Sequence, residues 1–502
     1  MKVGLNISEE INKAVQFHGK GQLDEAEVLY KNILSFQPNH PDALHLLGVV
    51  HFQKGDLESS QEFINKAIEE KPSNPNFHNN LGNTLRSSGK VTLAELSYRR
   101  ALELDPQNIE AHANLAIVLR DLGQSDEAIV FCLKAIELNP KIPQPYNTLG
   151  NLFCEQMEWG KAQEAYKKAL EVQPFPEAFN NLGNVLKELG QLDEAVFSYQ
   201  NAVSLNPNYA EAFNNLGNVL KLLNQLEEAK EAYDKAIEIW PEFSEAHFNL
   251  GILFKEIGHL AAAEKEYRLA IDFDPSNYSA KHMLSALSGE SIEAASLEYV
   301  EGLFDRFAPT FDEELISKLG YSTPNLLKEL ITTEIQRDVN FQNVVDLGCG
   351  TGLSGEAIRS LSDCLTGIDA SKKMLKVAEE KNIYDQLWQG EIVEALSISQ
   401  ETYDLFFAAD VFVYLGNLEP IFNAVRKQAR GEAFFVFSTE SHSGDEDFNL
   451  RITGRFAHSR QYIKKIAQLT RFIIEEVKSA NIRKDKGKWI NGDLFILKTK
   501  ST

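Results

Sequence analysis

Proline recurs at Pro38, Pro72, Pro106, Pro140, Pro174, Pro207, Pro241 and Pro275. Neighbouring members are 34 residues apart, except that Pro174 and Pro207 are separated by 33. A period of this length means one small supersecondary unit repeated along the chain, each unit burying its apolar face against its neighbours. Other positions keep the same phase. Leu-Gly pairs stand at Leu47-Gly48, Leu81-Gly82, Leu149-Gly150, Leu182-Gly183, Leu216-Gly217 and Leu250-Gly251. Alanine holds positions Ala26, Ala94, Ala128, Ala162, Ala195, Ala229 and Ala263, and tyrosine holds Tyr30, Tyr98, Tyr166, Tyr199, Tyr233 and Tyr267. Each unit reads as two helices. Glycine and alanine stand where the paired helices approach closely, the aromatic fills the space beside them, and proline ends the second helix. The single slip falls in VQPFPEAF, a turn, where one lost residue costs little.

This pattern resembles the tetratricopeptide repeat. It covers residues 7–288 as eight repeats, the first of which lacks the Leu-Gly pair, and NYSAKHMLSALS reads as a capping helix. The resemblance implies a right-handed superhelix with a concave groove. Asparagine recurs two residues before the repeat glycine position, at Asn80, Asn114, Asn181, Asn215 and Asn249, with Leu46 and Thr148 breaking the series. Asparagine is a mediocre helix former. Its amide offers both donor and acceptor and can pair with a peptide main chain without reading its sequence. The series resembles the asparagine ladder of protein O-GlcNAc transferase repeats, which implies a bound protein or peptide. The alternative is that NNLGN is repeat consensus, with the asparagines bonding inside the stack. No glycosyltransferase region follows.

From residue 341 the pattern changes to alternating strands and helices, the α/β signature. Strands are expected near 342–347, 364–369, 384–388, 403–408, 433–439, 472–478 and 492–499, the last two as a late hairpin. The stretch VVDLGCGTGLSG, residues 344–355, is a buried strand, a glycine loop and a helix start. Its pattern of Asp346, Gly348, Gly350 and Gly352 lacks the third glycine of a dinucleotide fingerprint, where Leu353 stands. It also lacks the Gly-Lys-Ser/Thr ending of a phosphate-binding loop. A carboxylate at Asp346 repels a pyrophosphate and suits a ligand with an ammonium group and no phosphate, such as S-adenosylmethionine. Glycines let the backbone pass close beneath such a ligand. Asp369 ends the next strand, where an acid takes ribose hydroxyls. Ala370 and Ser371 follow, and Met374 could pack on adenine. Glu391 and Ile392 follow the third strand, and Asp410 ends the fourth.

These elements, in this order, resemble the class I S-adenosylmethionine-dependent methyltransferases, with a dinucleotide oxidoreductase as the alternative. The resemblance implies an all-α tetratricopeptide superhelix over 7–288, a linker with lid helices over 289–340, and an α/β Rossmann-like seven-stranded methyltransferase domain over 341–502. YVEGLFDRFAPTFDEELISKLGYSTPNLL and ITGRFAHSRQYI resemble the bacterial group of methyltransferases that carry tetratricopeptide repeats on the same chain. The first of these stretches sets Phe304, Phe307 and Phe311 at helical spacing with Asp305 and Asp312, as a lid excluding water or as an amphipathic helix packed on the sheet.

Methyl transfer from a sulfonium is an in-line displacement, so the protein must mainly hold the nucleophile and strip its water. A nitrogen or oxygen nucleophile that must lose a proton also needs a base. Candidates are Asp410, Tyr414 and His458, the last with Arg451 and Arg455 near it in sequence, or alternatively a local hydrogen-bonding residue. Asp410 also fits contact with the cofactor, and a metal held by Asp410 and Glu440 is a minor alternative. Cys349 reads as a small packed residue in the loop beside the cofactor, not a nucleophile. An N-P-P-Y tetrad is absent from the fourth strand, where AADVFVY stands, which argues against amide and exocyclic-amine substrates. The chain has 502 residues and a formal charge of −23, from 50 Lys+Arg against 73 Asp+Glu. That balance disfavours nucleic acid and anionic membrane. Four cysteines without metal or C-x-x-C spacing, no apolar leader and no 18-residue apolar run point to a cytoplasmic protein. Three readings stay open: a methyltransferase for a protein or peptide held by the repeats, a small-molecule O- or N-methyltransferase with the repeats as docking surface, and a non-catalytic scaffold.

Overall fold

The computed structural model describes residues 6–290, 292–308, 310–335, 340–485 and 487–500, and does not describe the side chains of Glu314 and Lys318. Parts of the expected linker and of the expected second domain, residues 291, 309, 336–339, 486, 501 and 502, therefore lie outside the described residues. The chain forms two compact units, Met1–Pro241 and Glu242–Thr502.

The first unit is a succession of antiparallel helix pairs, beginning with Ile7–Gly19 and Leu23–Phe36 and ending with Ala210–Leu222 and Leu226–Ile239. The turn inside each pair requires one residue in the left-handed region. Gly21, Gly55, Gly89, Gly123 and Gly190 supply it at φ between 71° and 82°, whereas Met157 (φ 58°) and Asn224 (φ 59°) occupy the same phase with side chains. Asparagine tolerates this conformation through its short polar side chain, but methionine is strained by its Cβ. The glycine–tyrosine pairing is a contact. A Cβ added to Gly82, Gly150, Gly183 or Gly217 would lie 2.5–2.7 Å from the ring of Tyr98, Tyr166, Tyr199 or Tyr233 respectively. In one repeat both members change together: Ala116 and Cys132 stand at those positions and both are buried.

The second unit holds the last pair, Ser244–Glu256 and Leu260–Phe273, the helix Tyr278–Ser288, and a covered sheet. Helix Leu297–Phe307, capped by Ser296, and the helical turn Phe311–Glu313 precede helix Thr323–Glu334. The sheet follows: β1 (Phe341–Leu347), β2 (Ser362–Asp369), β3 (Gln386–Gln389), β4 (Tyr403–Ala408), β5 (Ala429–His442), β6 (Phe448–Leu450), β7 (Phe456–Ser459), β8 (Phe472–Asp485) and β9 (Lys488–Thr499). Strands β3, β2, β1, β4 and β5 lie side by side in parallel, then β9 pairs antiparallel with β5 and β8 with β9. Beyond the expected seven strands, β7 extends the tip of β5 through Ser441↔His458, and β6 pairs with β7.

Adjacent residues of a strand point to opposite faces, and both faces here are apolar, as a parallel sheet covered on two sides demands. Val345, Phe406, Phe435 and Phe437 pack on one side with helices Glu419–Gln428 and Arg460–Leu469. Val344, Leu405, Phe407 and Val436 pack on the other with Thr323–Glu334 and Leu353–Ile358. Each fully buried side chain of this size contributes about 1.5–3 kcal/mol. The strand order reverses between β1 and β4, and ligands of open α/β sheets bind beyond the carboxyl ends at such a point.

Candidate active site

The glycine loop between β1 and helix Leu353–Ile358 is held from the neighbouring strand. The N–H groups of Gly348 and Cys349 both donate to the Ile368 carbonyl, at 2.8 and 3.0 Å. Gly348 and Gly350 have φ of 71° and 53°, and a Cβ on Gly348 would lie 2.6 Å from Val411 Cγ2. The N–H of Gly350 donates to Asp369 Oδ2 at 2.9 Å, and the N–H of Ser371 donates to Oδ1 at 2.8 Å. Burial raises the Asp369 pKa to about 6 against those bonds. Asp346 lies fully buried beneath the loop. Its Oδ2 accepts from Ser354 Oγ at 2.5 Å and from the Tyr384 hydroxyl at 2.7 Å, and its Oδ1 has no partner among the described residues. Burial raises its pKa to about 6 as well. Burial also pushes the Cys349 thiol well above its usual range, which leaves no thiolate nucleophile there.

These groups wall a cavity of about 350 Å³. The residues directly after β1, β2, β3 and β4 contribute to it: Gly348, Cys349 and Gly350; Ala370, following Asp369; Gly390, Glu391 and Ile392; and Ala409, Asp410 and Val411. Glu391 also caps helix Ile392–Ile398, accepting from the Glu394 N–H at 2.8 Å. Phe304 and Phe311 close the cavity from the segment ahead of the sheet and meet edge to face, while Phe304 meets Tyr414 in the same way at 5.3 Å. Two carboxylates fasten this cover to the site. Asp305 accepts from Ser371 Oγ at 2.6 Å, and Asp312 accepts from Thr351 Oγ1 and pairs with Lys381 Nζ. Phe307 points away and is exposed.

At another part of the cavity, side chains from β5, β8 and the loop after β4 meet. Arg483 on β8 is buried and bridges Asp410 and Glu440, and Arg451 takes the second Glu440 oxygen at 2.7 Å. Asp410 adopts φ 62°, with its N–H donated to Ser438 Oγ at 2.9 Å. The two carboxylates at the ends of β4 and β5 are thus spent on arginine rather than arranged to share an ion. Among the described residues no group of three or more His, Cys, Asp or Glu is placed to hold a metal. Tyr321 and Tyr414 line the same region, and burial raises both phenols above their usual range. His458 does not reach the cavity. Its Nε2–H donates to the Gly416 carbonyl at 3.1 Å, and burial lowers its pKa to about 4. It holds the loop that carries Tyr414 and has no access to a substrate proton.

In the first unit the ladder asparagines lie at the seams between repeats. Asn114 Nδ2 donates to Asn79 and Asn83, Asn181 Nδ2 to Asn151, and Asn215 Nδ2 to Asn180. Asn80 Nδ2 meets the His45 ring at 2.9 Å. The asparagine after four of the repeat glycines takes the tyrosine hydroxyl: Asn83, Asn151, Asn184 and Asn218 accept it at 2.6–2.8 Å. The run NNLGN is therefore bonded inside the stack, its middle asparagine through the Nδ2 donor and the outer two through their Oδ1 acceptors. The Oδ1 atoms of Asn114, Asn181 and Asn215 accept nothing from the described protein groups, and all three side chains are half-buried.

Comparison with known proteins agrees with this division. A family model described as Methyltransferase domain matches residues 344–430. Models described as TPR repeat or Tetratricopeptide repeat match 17–82, 82–123, 109–142, 183–223, 210–243 and 244–277. The chain joins tetratricopeptide repeats to a methyltransferase domain. Among similar curated proteins, the malonyl-[acyl-carrier protein] O-methyltransferase of Buchnera aphidicola subsp. Baizongia pistaciae (strain Bp) is 27% identical over 107 residues, 21% of this chain and 43% of that protein. The mitochondrial ubiquinone biosynthesis O-methyltransferase of Rattus norvegicus is 26% identical over 121 residues, 23% of this chain and 35% of that protein. The match thus spans less than half the length of either relative. Among solved structures, YrrB, described as a TPR protein with an unusual peptide-binding site, is 27% identical over 37% of this chain and 96% of its own, with a TM-score of 0.33. Among the described residues no helix is long and apolar enough to cross a membrane.

Of the residues expected at the methyltransferase site, Gly348, Cys349, Gly350, Asp369, Ala370, Glu391, Ile392, Asp410 and Tyr414 line one cavity. Asp346, Gly352, Met374 and His458 do not. Asp346 and Met374 are wholly buried behind the wall, and Gly352 shapes the entry to helix Leu353–Ile358 at φ 96°. Sequence reading missed Tyr321, Arg455 and Arg483, which also line it. Arg483 stands in the charged run RKDK, which gives no local sign of a buried arginine.

Proposed function

We propose that the chain is an S-adenosylmethionine-dependent methyltransferase whose repeats recruit a protein or peptide substrate or partner. The observation that carries the reading is Asp369. Its carboxylate lines the cavity at the end of β2 with one oxygen fixed by Gly350 and the other by Ser371. An ionised carboxylate accepts about four hydrogen bonds, so accepting capacity remains for ribose hydroxyls. The donor set fits the rest of the cofactor. Glycines of positive φ allow the methionine part to lie on the backbone. The adenine would lie beside Glu391 and Ile392. Bound there, the cofactor supplies an activated methyl group on a good leaving group.

The chain's own residues then orient and exclude water. Asp305 and Asp312 fasten the cover that carries Phe304 and Phe311, and Tyr414 and Arg483 shape the acceptor end. The curated relatives are named O-methyltransferases, which supports oxygen as the atom methylated. In the repeats, Oδ1 of Asn114, Asn181 and Asn215 would accept N–H groups of an extended peptide, each worth about 0.5–1.5 kcal/mol. The test is calorimetry of the full chain with S-adenosylmethionine, followed by a labelled-methyl assay in lysate. Absence of cofactor binding would leave the scaffold reading. Label confined to small molecules would move the repeats to a docking role.

A further inference from the structure

We infer that the methyl acceptor is a carboxylate, held by Arg455 and methylated on oxygen without a general base. The inference rests on the cofactor placement proposed above. Every other charge lining the cavity is matched. Arg483 has Asp410 and Glu440, Asp369 has two backbone N–H groups, and Glu391 caps a helix. Arg455 lines the same cavity, is half-buried, and pairs with no carboxylate among the described residues. Its neighbours there are the Tyr414 hydroxyl and a largely apolar wall that includes Leu297, Val300 and Phe304. A guanidinium in such a wall calls for an anion, and its fork matches a carboxylate bidentately.

The arginine is also built in. It ends a tight turn in which the Arg451 N–H donates to the Arg455 carbonyl at 2.9 Å and the Gly454 N–H to the Arg451 carbonyl at 2.8 Å. That turn is pinned from outside by His282, whose Nε2–H donates to the Gly454 carbonyl at 2.8 Å. The second observation is what the cavity lacks. No histidine lines it, Asp410 is neutralised by Arg483, and both tyrosines are protonated. With Asp369 and Glu391 taken up at the cofactor end, no unpaired base among the described residues faces the acceptor end to take the proton of an alcohol or an ammonium group. A carboxylate has none to lose. Its oxygen forms the new bond to the methyl carbon as the carbon–sulfur bond breaks and that electron pair stays on sulfur. The negative charge of the acid and the positive charge of the sulfonium vanish together, giving a neutral methyl ester and a thioether.

The acid could be a small molecule or a side-chain or terminal carboxylate of a protein, and the test separates them. The full chain is incubated with S-[methyl-³H]adenosylmethionine and either the low-mass or the macromolecular fraction of a lysate, then treated with mild base. Carboxyl methyl esters release volatile labelled methanol; ethers and methylamines do not. Volatile label from either fraction supports the inference, and the fraction names the source. Arg455→Ala should lower this label about 10- to 100-fold, with partial recovery in Arg455→Lys and unchanged calorimetric affinity for S-adenosylhomocysteine. In the S-adenosylhomocysteine complex, acetate, malonate and benzoate should bind at least 10-fold tighter than their amides, and Arg455→Ala should abolish the difference. Base-stable label, no label in a preparation that binds cofactor, or equal binding of acids and amides would overturn it. Failure to bind cofactor would instead remove the methyltransferase reading itself.

Discussion

Replacing Asp369 by alanine probes the cofactor site at one atom pair. The wild-type carboxylate holds the Gly350 and Ser371 N–H groups at 2.9 and 2.8 Å and lines the cavity. Removing it deletes two hydrogen bonds to ribose, which costs on the order of 1.5–3 kcal/mol, or a roughly 10- to 150-fold higher Kd. The pH dependence gives an independent signature. Its pKa in the free protein is about 6, raised chiefly by burial. The ionised form is the better acceptor, so affinity is complete above pH 7 and falls as pH drops through 6, reaching about one tenth at pH 5. The assay is titration calorimetry of the full chain with S-adenosylhomocysteine between pH 5 and 8. Asp369→Ala should be weaker and less dependent on pH, any remaining slope belonging to Asp346, which is also held near 6. An unchanged Kd in a folded variant, or binding of NADH in place of the thioether, would refute the assignment.

Arg483→Met leaves Asp410 and Glu440 without their bridge and should cost about 3–5 kcal/mol in chemical denaturation of the second unit; a loss below about 1 kcal/mol would mean the network is solvated. His458 is buried and neutral with a pKa near 4 against 6.5 when unfolded, so its contribution is present above pH 6.5 and is lost as pH falls toward 4. Melting curves of His458→Gln should lack a pH-dependent loss on the order of 2–3 kcal/mol over that window. Met157→Gly should gain about 1 kcal/mol by relieving the left-handed backbone at φ 58°, and a lower melting temperature would contradict the turn argument. Asn181→Ala with Asn215→Ala removes two inter-repeat bonds and should cost about 1–3 kcal/mol while weakening capture of an extended peptide partner and leaving cofactor affinity unchanged; equal capture by the folded double variant would exclude the groove asparagines.

What could be read in advance follows from how local each constraint is. The repeat phase repeats the same contact, so Gly150 and Tyr166 announce their packing 16 residues apart within one helix pair. Strands β1, β2, β4 and the middle of β5 are apolar and the loops that follow the first four strands are short, so the positions of Asp369 and Glu391 at strand ends were legible from sequence. The acceptor side was not, because it is assembled from distant segments. Arg483 meets Asp410 across 73 residues, and no local pattern marks the pairing. Strands β6 and β7 are three and four residues long, too short for an alternating pattern, and lie beside an acidic run that reads as loop. The late hairpin runs further than 472–478 and 492–499 because β8 has few buried positions before Ile482. His458 looked like a base only because sequence cannot show that its ring faces the Gly416 carbonyl.

The bond from His282 to Gly454 bears on how such a chain could be assembled by gene fusion. His282 belongs to the helix Tyr278–Ser288, at the end of the repeats, and stacks on Tyr299 at 4.1 Å. A Cβ on Gly454 would come within 3.1 Å of Met283 Sδ, so the fit admits little variation on either side. A recombination seam at residue 288 would part His282 from Gly454 and strand a carbonyl next to the arginine turn. One near residue 241 would carry the last repeat and its closing helix along with the catalytic fold. The final repeat therefore belongs with the sheet as one compact unit, Glu242–Thr502.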